Sequence, residues 1–250
     1  MRAFAAAAVV AALVAVVAVG GGAAADPSAS TSAQRVVLGR SVQKRAITGA
    51  QIGDPDGTRV ALVVGVIHGD ERGGLRIIRA IKHEAAGHPG ALAGTQLWAI
   101  ATVNPDGLRA HTRKNSHGVD LNRNFPYRWR GNVPHSNGYY PGPRPASEPE
   151  TRAVMAFVNR IRPDLSIWYH QPWGAVLACH GAPQIAARYA KLVGMRTSCR
   201  GKGLRGTAIT WETHALPGSS AFVVEMPPGG ISGRTATRQA RGALTVAEGG

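Results

Sequence analysis

His68 and Glu71 stand at the end of the run Val63-Val64-Gly65-Val66-Ile67-His68-Gly69-Asp70-Glu71, where apolar residues give way to an imidazole and a carboxylate. The apolar part reads as a buried strand, and the polar pair falls where a strand hands over to a helix. Two such donors leaving one strand end can grip a metal ion from the same side. A catalytic zinc site takes three protein ligands and keeps a fourth position open, so the pair calls for a third ligand downstream. His170 is the candidate, because it too closes a strand-like run, Leu165-Ser166-Ile167-Trp168-Tyr169. Glu225, in Ala221-Phe222-Val223-Val224-Glu225-Met226, is an acid in an apolar strand. An unpaired carboxylate there is costly, so it should face a cation or a polarised water.

The elements that must position these residues follow from periodicity. Residues 59–67 form a β-branched run apolar on both faces, as central parallel strands are. Residues 73–86 have a helical period. Residues 96–103, 165–169 and 220–226 read as further buried strands, 183–193 and 235–246 as helices, and 36–47 as a strand and turn. Ser147-Glu148-Pro149-Glu150 has the capping-box pattern and should open a helix ending near Arg162. Between them, residues 104–146 are rich in Gly, Pro, Asn, Arg and aromatics with little periodicity, and a loop that long is usually functional. Alternating strands and helices predict a mostly parallel sheet covered on both faces. Ligands of such sheets bind beyond the carboxyl ends of the strands, where His68, Glu71 and His170 all fall.

The motif order is specific. It runs His68-x-x-Glu71, Asn104-Pro105-Asp106-Gly107, Arg113, Asp120-Leu121-Asn122-Arg123-Asn124, the strand-ending His170 and the late Glu225. In this order the chain resembles the zinc metallocarboxypeptidase family, from roughly His68 to Glu225. The resemblance implies an α/β fold, a three-layer α/β/α sandwich around a mixed, mostly parallel sheet of about eight strands. It implies one Zn2+ held by His68, Glu71 and His170, with Glu225 as general base. It makes Arg113 the cation beside the scissile carbonyl, and Asn122 and Arg123 the clamp on the substrate's terminal carboxylate. These roles have physical reasons of their own. Zinc lowers the pKa of water and polarises a carbonyl, a nearby Arg stabilises a developing oxyanion, and an Arg fork matches a free carboxylate.

Several residues compete for these roles. Arg109 and Lys114 neighbour Arg113, and Arg123 has Asp120 as an alternative partner. Glu212 is the rival of Glu225 but follows Trp211 in a polar stretch, so Glu225 is preferred. His83, His88, His111, His117, His135, His180 and His214 lack ligand-like spacing. Asp70 is placed to accept the outer N–H of a ligand imidazole or to stabilise the turn. The large carboxypeptidases carry a mobile Tyr before the base Glu, and this chain has none between Tyr189 and Glu225. Trp211, His214, Tyr139 and Tyr140 are the candidates to replace it.

The short chain and the segment Tyr169-His170-Gln171-Pro172-Trp173-Gly174 resemble the bacterial murein peptide amidases. That branch implies a wall-peptide carboxypeptidase cutting the bond between γ-D-glutamate and meso-diaminopimelate. A general secreted carboxypeptidase is one alternative reading. A small-molecule deacylase resembling the succinylglutamate desuccinylase and aspartoacylase branch is another, against which the Asn-Pro-Asp-Gly run and the export signal argue. A non-catalytic wall-binding protein would have lost a ligand or the base, and every such position is filled.

The 250 residues suffice for one catalytic domain, residues 36–250. Met1-Arg2, an Ala/Val-rich run to Val19 and Ala23-Ala24-Ala25 have the layout of a secretory signal cleaved near Ala25, followed by a disordered tail at 26–35. The expected location is outside the cell, in the periplasm or at the cell wall. A formal charge of +15 draws the chain toward polyanions. With scattered Arg and no nucleic-acid-binding motif, an anionic cell wall is a better partner than nucleic acid, and a merely solvated surface is the alternative. The only two cysteines, Cys179 and Cys199, predict a disulfide in an oxidising compartment, against two free thiols.

Overall fold

The computed structural model describes residues 34–249 apart from 180 and 202. The expected signal at 1–25, residues 26–33 of the expected tail and His180 lie outside the described residues. β1 begins at Arg35, the last residue assigned to that tail.

Eight strands form one mixed sheet, as expected: β1 (Arg35–Arg40), β2 (Ala46–Gly53), β3 (Arg59–Val64), β4 (Thr95–Ile100), β5 (Leu165–His170), β6 (Ala175–Leu177), β7 (Arg196–Ser198) and β8 (Ser220–Glu225). Their spatial order is β1-β2-β4-β3-β5-β8-β6-β7. β4-β3-β5-β8 at the centre pair in parallel, while β1-β2, β2-β4 and β8-β6 pair antiparallel. The central strands are the ones whose sequence is apolar on both faces, which is what two covered faces demand.

α1 (Gly73–Gly87), α4 (Pro183–Val193) and α6 (Gly233–Ala247) cover one face, where Ile77, Ile81, Tyr189 and Leu244 pack on Val63, Ile167 and Phe222. α3 (Pro149–Ile161) and α5 (Ala208–Ala215) cover the other, where Phe157, Trp211 and Phe125 pack on Leu62, Trp168 and Val223. The layers are those of an α/β/α sandwich. Among the described residues no helix is long and apolar enough to cross a membrane.

Three local expectations change. The long connection from Asn104 to Ala146 contains a short helix, α2 (Pro105–Ala110), capped by Asn104, whose side chain accepts from the Gly107 N–H at 2.9 Å. The capping box at Ser147 does not form: the Ser147 hydroxyl donates to Glu148 at 2.6 Å. Glu150 is instead drawn away to accept from the Val42 N–H at 3.0 Å and the Asn115 amide at 3.2 Å. α3 starts at Pro149 without a side-chain cap, a position where the fixed φ of proline suits a helix and its missing N–H costs nothing. Glu212 sits on α5 with no exposed surface, accepting from Ser166 and from the Trp168 indole of β5. Its flanking polar residues concealed a one-sided helix.

Candidate metal centre and substrate cleft

The chain leaves β3 at Val64 and turns into α1 at Gly73, so His68 and Glu71 ride the bend between strand and helix. That bend is pressed against α2: a Cβ on Gly69 would meet the Gly107 carbonyl carbon at 2.0 Å. The Asn104 amide donates to the carbonyls of Ile67 at 3.1 Å and Arg113 at 3.3 Å, tying the ligand bend to the loop that carries the arginines. Asp106 accepts from Ser41 and the Gln43 N–H, so the Asn-Pro-Asp-Gly run is scaffold rather than reaction chemistry.

His170 ends β5 beside Glu225 of β8, its direct partner in the parallel ladder. His68 Nδ1 and His170 Nδ1 face one another at 3.2 Å. Glu71 bridges them, Oε1 at 2.7 Å from the first and Oε2 at 2.9 Å from the second. All three residues are buried, and they are a group able to hold one metal ion among the described residues. Zinc bonds near 2.0–2.2 Å at tetrahedral angles put ligand atoms about 3.4 Å apart, so this donor set suits zinc with little adjustment. Burial alone would push the Glu71 carboxyl up, but His170 and His68 outweigh it and hold it well below the usual range. Burial pushes the His68 imidazole down, and Asp120 and Glu71 reverse the sign, leaving it raised.

Behind the ligands stands Asp120, a residue the sequence pointed to only as an alternative partner of Arg123. His68 Nε2 lies 3.1 Å from its Oδ1, and Arg113 meets its Oδ2 at 2.9–3.0 Å. Asp70, the other expected partner of a ligand imidazole, is exposed and lines the substrate cleft, and the imidazole nitrogens bond to Glu71 and Asp120 instead. Burial would raise the Asp120 carboxyl, and His68 and Arg113 hold it far below its ordinary value.

Glu225 is 6% exposed and its Oε2 has no hydrogen-bond partner. Burial raises its pKa against the opposing pull of His170. A buried carboxylate oxygen without a partner is costly, and here it lies beside the candidate metal ligands, free to accept a proton. Glu212 is far from this role, sealed between α5 and β5.

A cleft of about 970 Å³ opens over these groups, and His68, Glu71, His170, Glu225, Arg113, Asn122 and Arg123 all line it. Arg113 also reaches Glu71 Oε1 at 3.1 Å, whereas Lys114 turns to the His135 carbonyl. Arg123 is bonded to the Asn122 carbonyl at 2.6 Å and leaves the rest of its fork on the cleft. Asn122 is more constrained than a pure substrate contact: its Oδ1 accepts from the Ala208 N–H at 3.0 Å and its Nδ2 lies 3.4 Å from His170 Nε2. Of the four candidates for the absent Tyr, Tyr139 enters the cleft, its ring under the guanidinium carbons of Arg113 and Arg123 at 5.0 and 5.3 Å. Trp211 is buried in the core, His214 stacks on Tyr127 at 3.9 Å, and Tyr140 lies against His135. Cys179 and Cys199 are bonded.

The sequence of residues 24–185 matches the zinc carboxypeptidase family. Murein peptide amidase A of Escherichia coli K12 is 38% identical over 96 residues, 34% of this chain and 38% of that protein. The protein of that name from Vibrio campbellii is 28% identical over 126 residues, 44% of this chain and 47% of that one. The aligned sequence thus spans less than half the length of these relatives. In fold, the chain superposes on the murein-tripeptide amidase of Escherichia coli O157 with a TM-score of 0.69 at 23% identity, over 89% of this chain and 96% of that one. On carboxypeptidase A of Helicoverpa armigera the TM-score is 0.75 at 17% identity, over 86% and 68%.

Proposed function

This chain belongs to the zinc carboxypeptidase family, and we propose that it is an exported zinc-dependent carboxypeptidase that hydrolyses the γ-D-Glu–meso-diaminopimelate bond of peptidoglycan stem peptides. The observation that carries the reading is the convergence of His68, Glu71, His170, Glu225 and Arg123 on one cleft. The likeness to murein peptide amidases supports the choice of bond. The signal-like residues 1–25 support export toward the wall, where the net positive charge suits an anionic surface.

The three ligands would hold a zinc ion, which supplies Lewis acidity and lowers the pKa of water. Arg123 binds the substrate's terminal carboxylate and fixes the scissile amide over the centre. Arg113, held by Asp120, neutralises the oxyanion as the carbonyl carbon becomes tetrahedral. Glu225 takes the proton from the attacking water and returns it to the leaving amine, a transfer its raised pKa favours.

A second reading, a general peptidase for uncharged C-terminal residues, is favoured by the apolar cleft wall of Leu177, Leu204, Ile209 and Val223. Incubating the zinc-loaded protein with L-Ala-γ-D-Glu-meso-diaminopimelate decides between them. Release of free diaminopimelate, abolished in Glu225→Gln with zinc retained, supports the wall reading. No release together with rapid cutting of ordinary L-peptides supports the second.

A further inference from the structure

α1 carries a row of basic side chains, three of them arginines, on one outward face. Arg72 at its N-terminal end is followed by Arg76, Arg79 and His83, spacings that stack them along one side of the helix over about 16 Å. Arg72 and Arg76 line the cleft. All four line a second groove of about 550 Å³ whose far wall is Gly233, Ala236 and Thr237 of α6. The two depressions share Arg72 and Arg76, so a row of arginines runs outward along α1, starting beside Asp70 and Glu71 at the cleft. The Arg76 guanidinium is steadied by the Ile231 carbonyl at 3.1 Å, and that of Arg72 by His111 at 2.8 Å. No acid lines the second groove. Among the described residues, none of the three arginines pairs with a carboxylate, and Glu84 of the same helix is taken by Arg241. Like charges at these spacings repel one another, so the row opposes the helix that carries it.

The cleft also has a direction. Arg123, Asn122, Ile209 and Val223 belong to the side covered by α3 and α5, whereas α1 and Ile231 belong to the side covered by α6. A substrate whose terminal carboxylate meets Arg123 and whose scissile bond lies at the ligands can lay its acyl half over the α1 rim, on the opposite side of the cleft. We propose that Arg72, Arg76 and Arg79 form an exit track for a carboxylate-bearing acyl chain, so that the enzyme selects substrates acidic on the N-terminal side of the cut. The direction rests on the carboxypeptidase reading. The γ-linked glutamate of the proposed substrate carries such a carboxylate, and Arg forks match it in paired hydrogen bonds.

The test uses the zinc-loaded protein and two peptides that differ only in one acyl residue, glutamate or glutamine. The ratio of their kcat/KM values is compared among the parent, Arg76→Gln/Arg79→Gln, and Arg160→Gln/Arg188→Gln, which removes the same charge elsewhere. The parent and the control pair should favour the acidic peptide about tenfold at low salt, and the track pair should bring the ratio near one. A labelled oligoglutamate, followed by anisotropy, should bind the track pair at least about fivefold more weakly than the control pair, whatever the turnover. If the parent cuts both peptides equally, or both pairs lose binding alike, the track is overturned while the carboxypeptidase reading stands. If neither peptide is cut but the probe still separates the two pairs, that reading fails and the anion-binding surface survives. Equal binding of an oligodeoxycytidylate of the same charge would overturn its assignment to an acidic peptide.

Discussion

His68 and Asp120 are joined through the imidazole nitrogen that faces away from the metal position, Nε2 to Oδ1 at 3.1 Å. The contact fixes the tautomer in which Nδ1 offers its lone pair, and the same carboxylate holds Arg113. Asp120→Asn keeps the shape and removes the charge. Loss of a second-sphere carboxylate typically costs 10–100-fold in metal affinity. The expected outcome is a fall of about that size in zinc affinity, measured by competition with a chromophoric chelator, in a protein that still folds.

Arg113 and Arg123 share the Tyr139 ring but should fail in different ways. Arg113→Ala removes an interaction that strengthens as charge develops on the carbonyl, so kcat should drop by about 10²–10³ with a small change in KM. Arg123→Ala removes a charge-assisted contact to the ground-state carboxylate and should raise KM by about 10–100-fold. C-terminally amidated peptides, which lack that carboxylate, should be poor substrates for the parent and no worse for Arg123→Ala. Steady-state kinetics on the paired substrates check both.

Glu212 lies between α5 and β5 with its pKa raised by burial to about 7, despite the bonds from Ser166 and Trp168. The unfolded chain releases this proton near pH 4.5, the ordinary value. Between there and about pH 7 the folded protein holds a proton that the unfolded one lacks, so this group lowers stability as pH rises through that window. Glu212→Gln should flatten that part of the profile and stabilise the protein above pH 7. Denaturant unfolding of both proteins at pH 5, 6, 7 and 8 reads the slope.

The Cys179–Cys199 bond closes a loop spanning 20 residues in sequence. Cross-links of that size stabilise by about 3 kcal/mol, chiefly through the unfolded chain. Cys179→Ser/Cys199→Ser should lose stability on that scale and keep its zinc, since neither sulfur belongs to the metal ligands. Urea unfolding with metal analysis checks it.

What could be read in the sequence was whatever has a period or a motif. The central strands announce themselves by runs of Val, Ile and Leu, α1, α4 and α6 by apolar residues at helical spacing, and His68, Glu71, His170, Arg113, Arg123 and Glu225 by their family order. What escaped was set by tertiary contact. α5 was hidden because Thr210, Glu212, Thr213 and His214 look polar along the chain, though Glu212 is turned inward. The three-residue strands β6 and β7 are too short for a period. Asp120 could have been recognised as the partner of His68 only by knowing that the loop after α2 folds back over the ligand bend. Tyr139, one of four candidates, was singled out by the path of that same loop.

The central claim is that one dication is held by His68, Glu71 and His170. Its most direct test is zinc titration with X-ray absorption at the zinc edge on the parent and on His170→Ala. One equivalent of tightly bound zinc, with two imidazole nitrogens and a carboxylate in its shell and the tight site lost in the variant, is the predicted result. Tight binding that survives in His170→Ala, or a shell without imidazole, would contradict it.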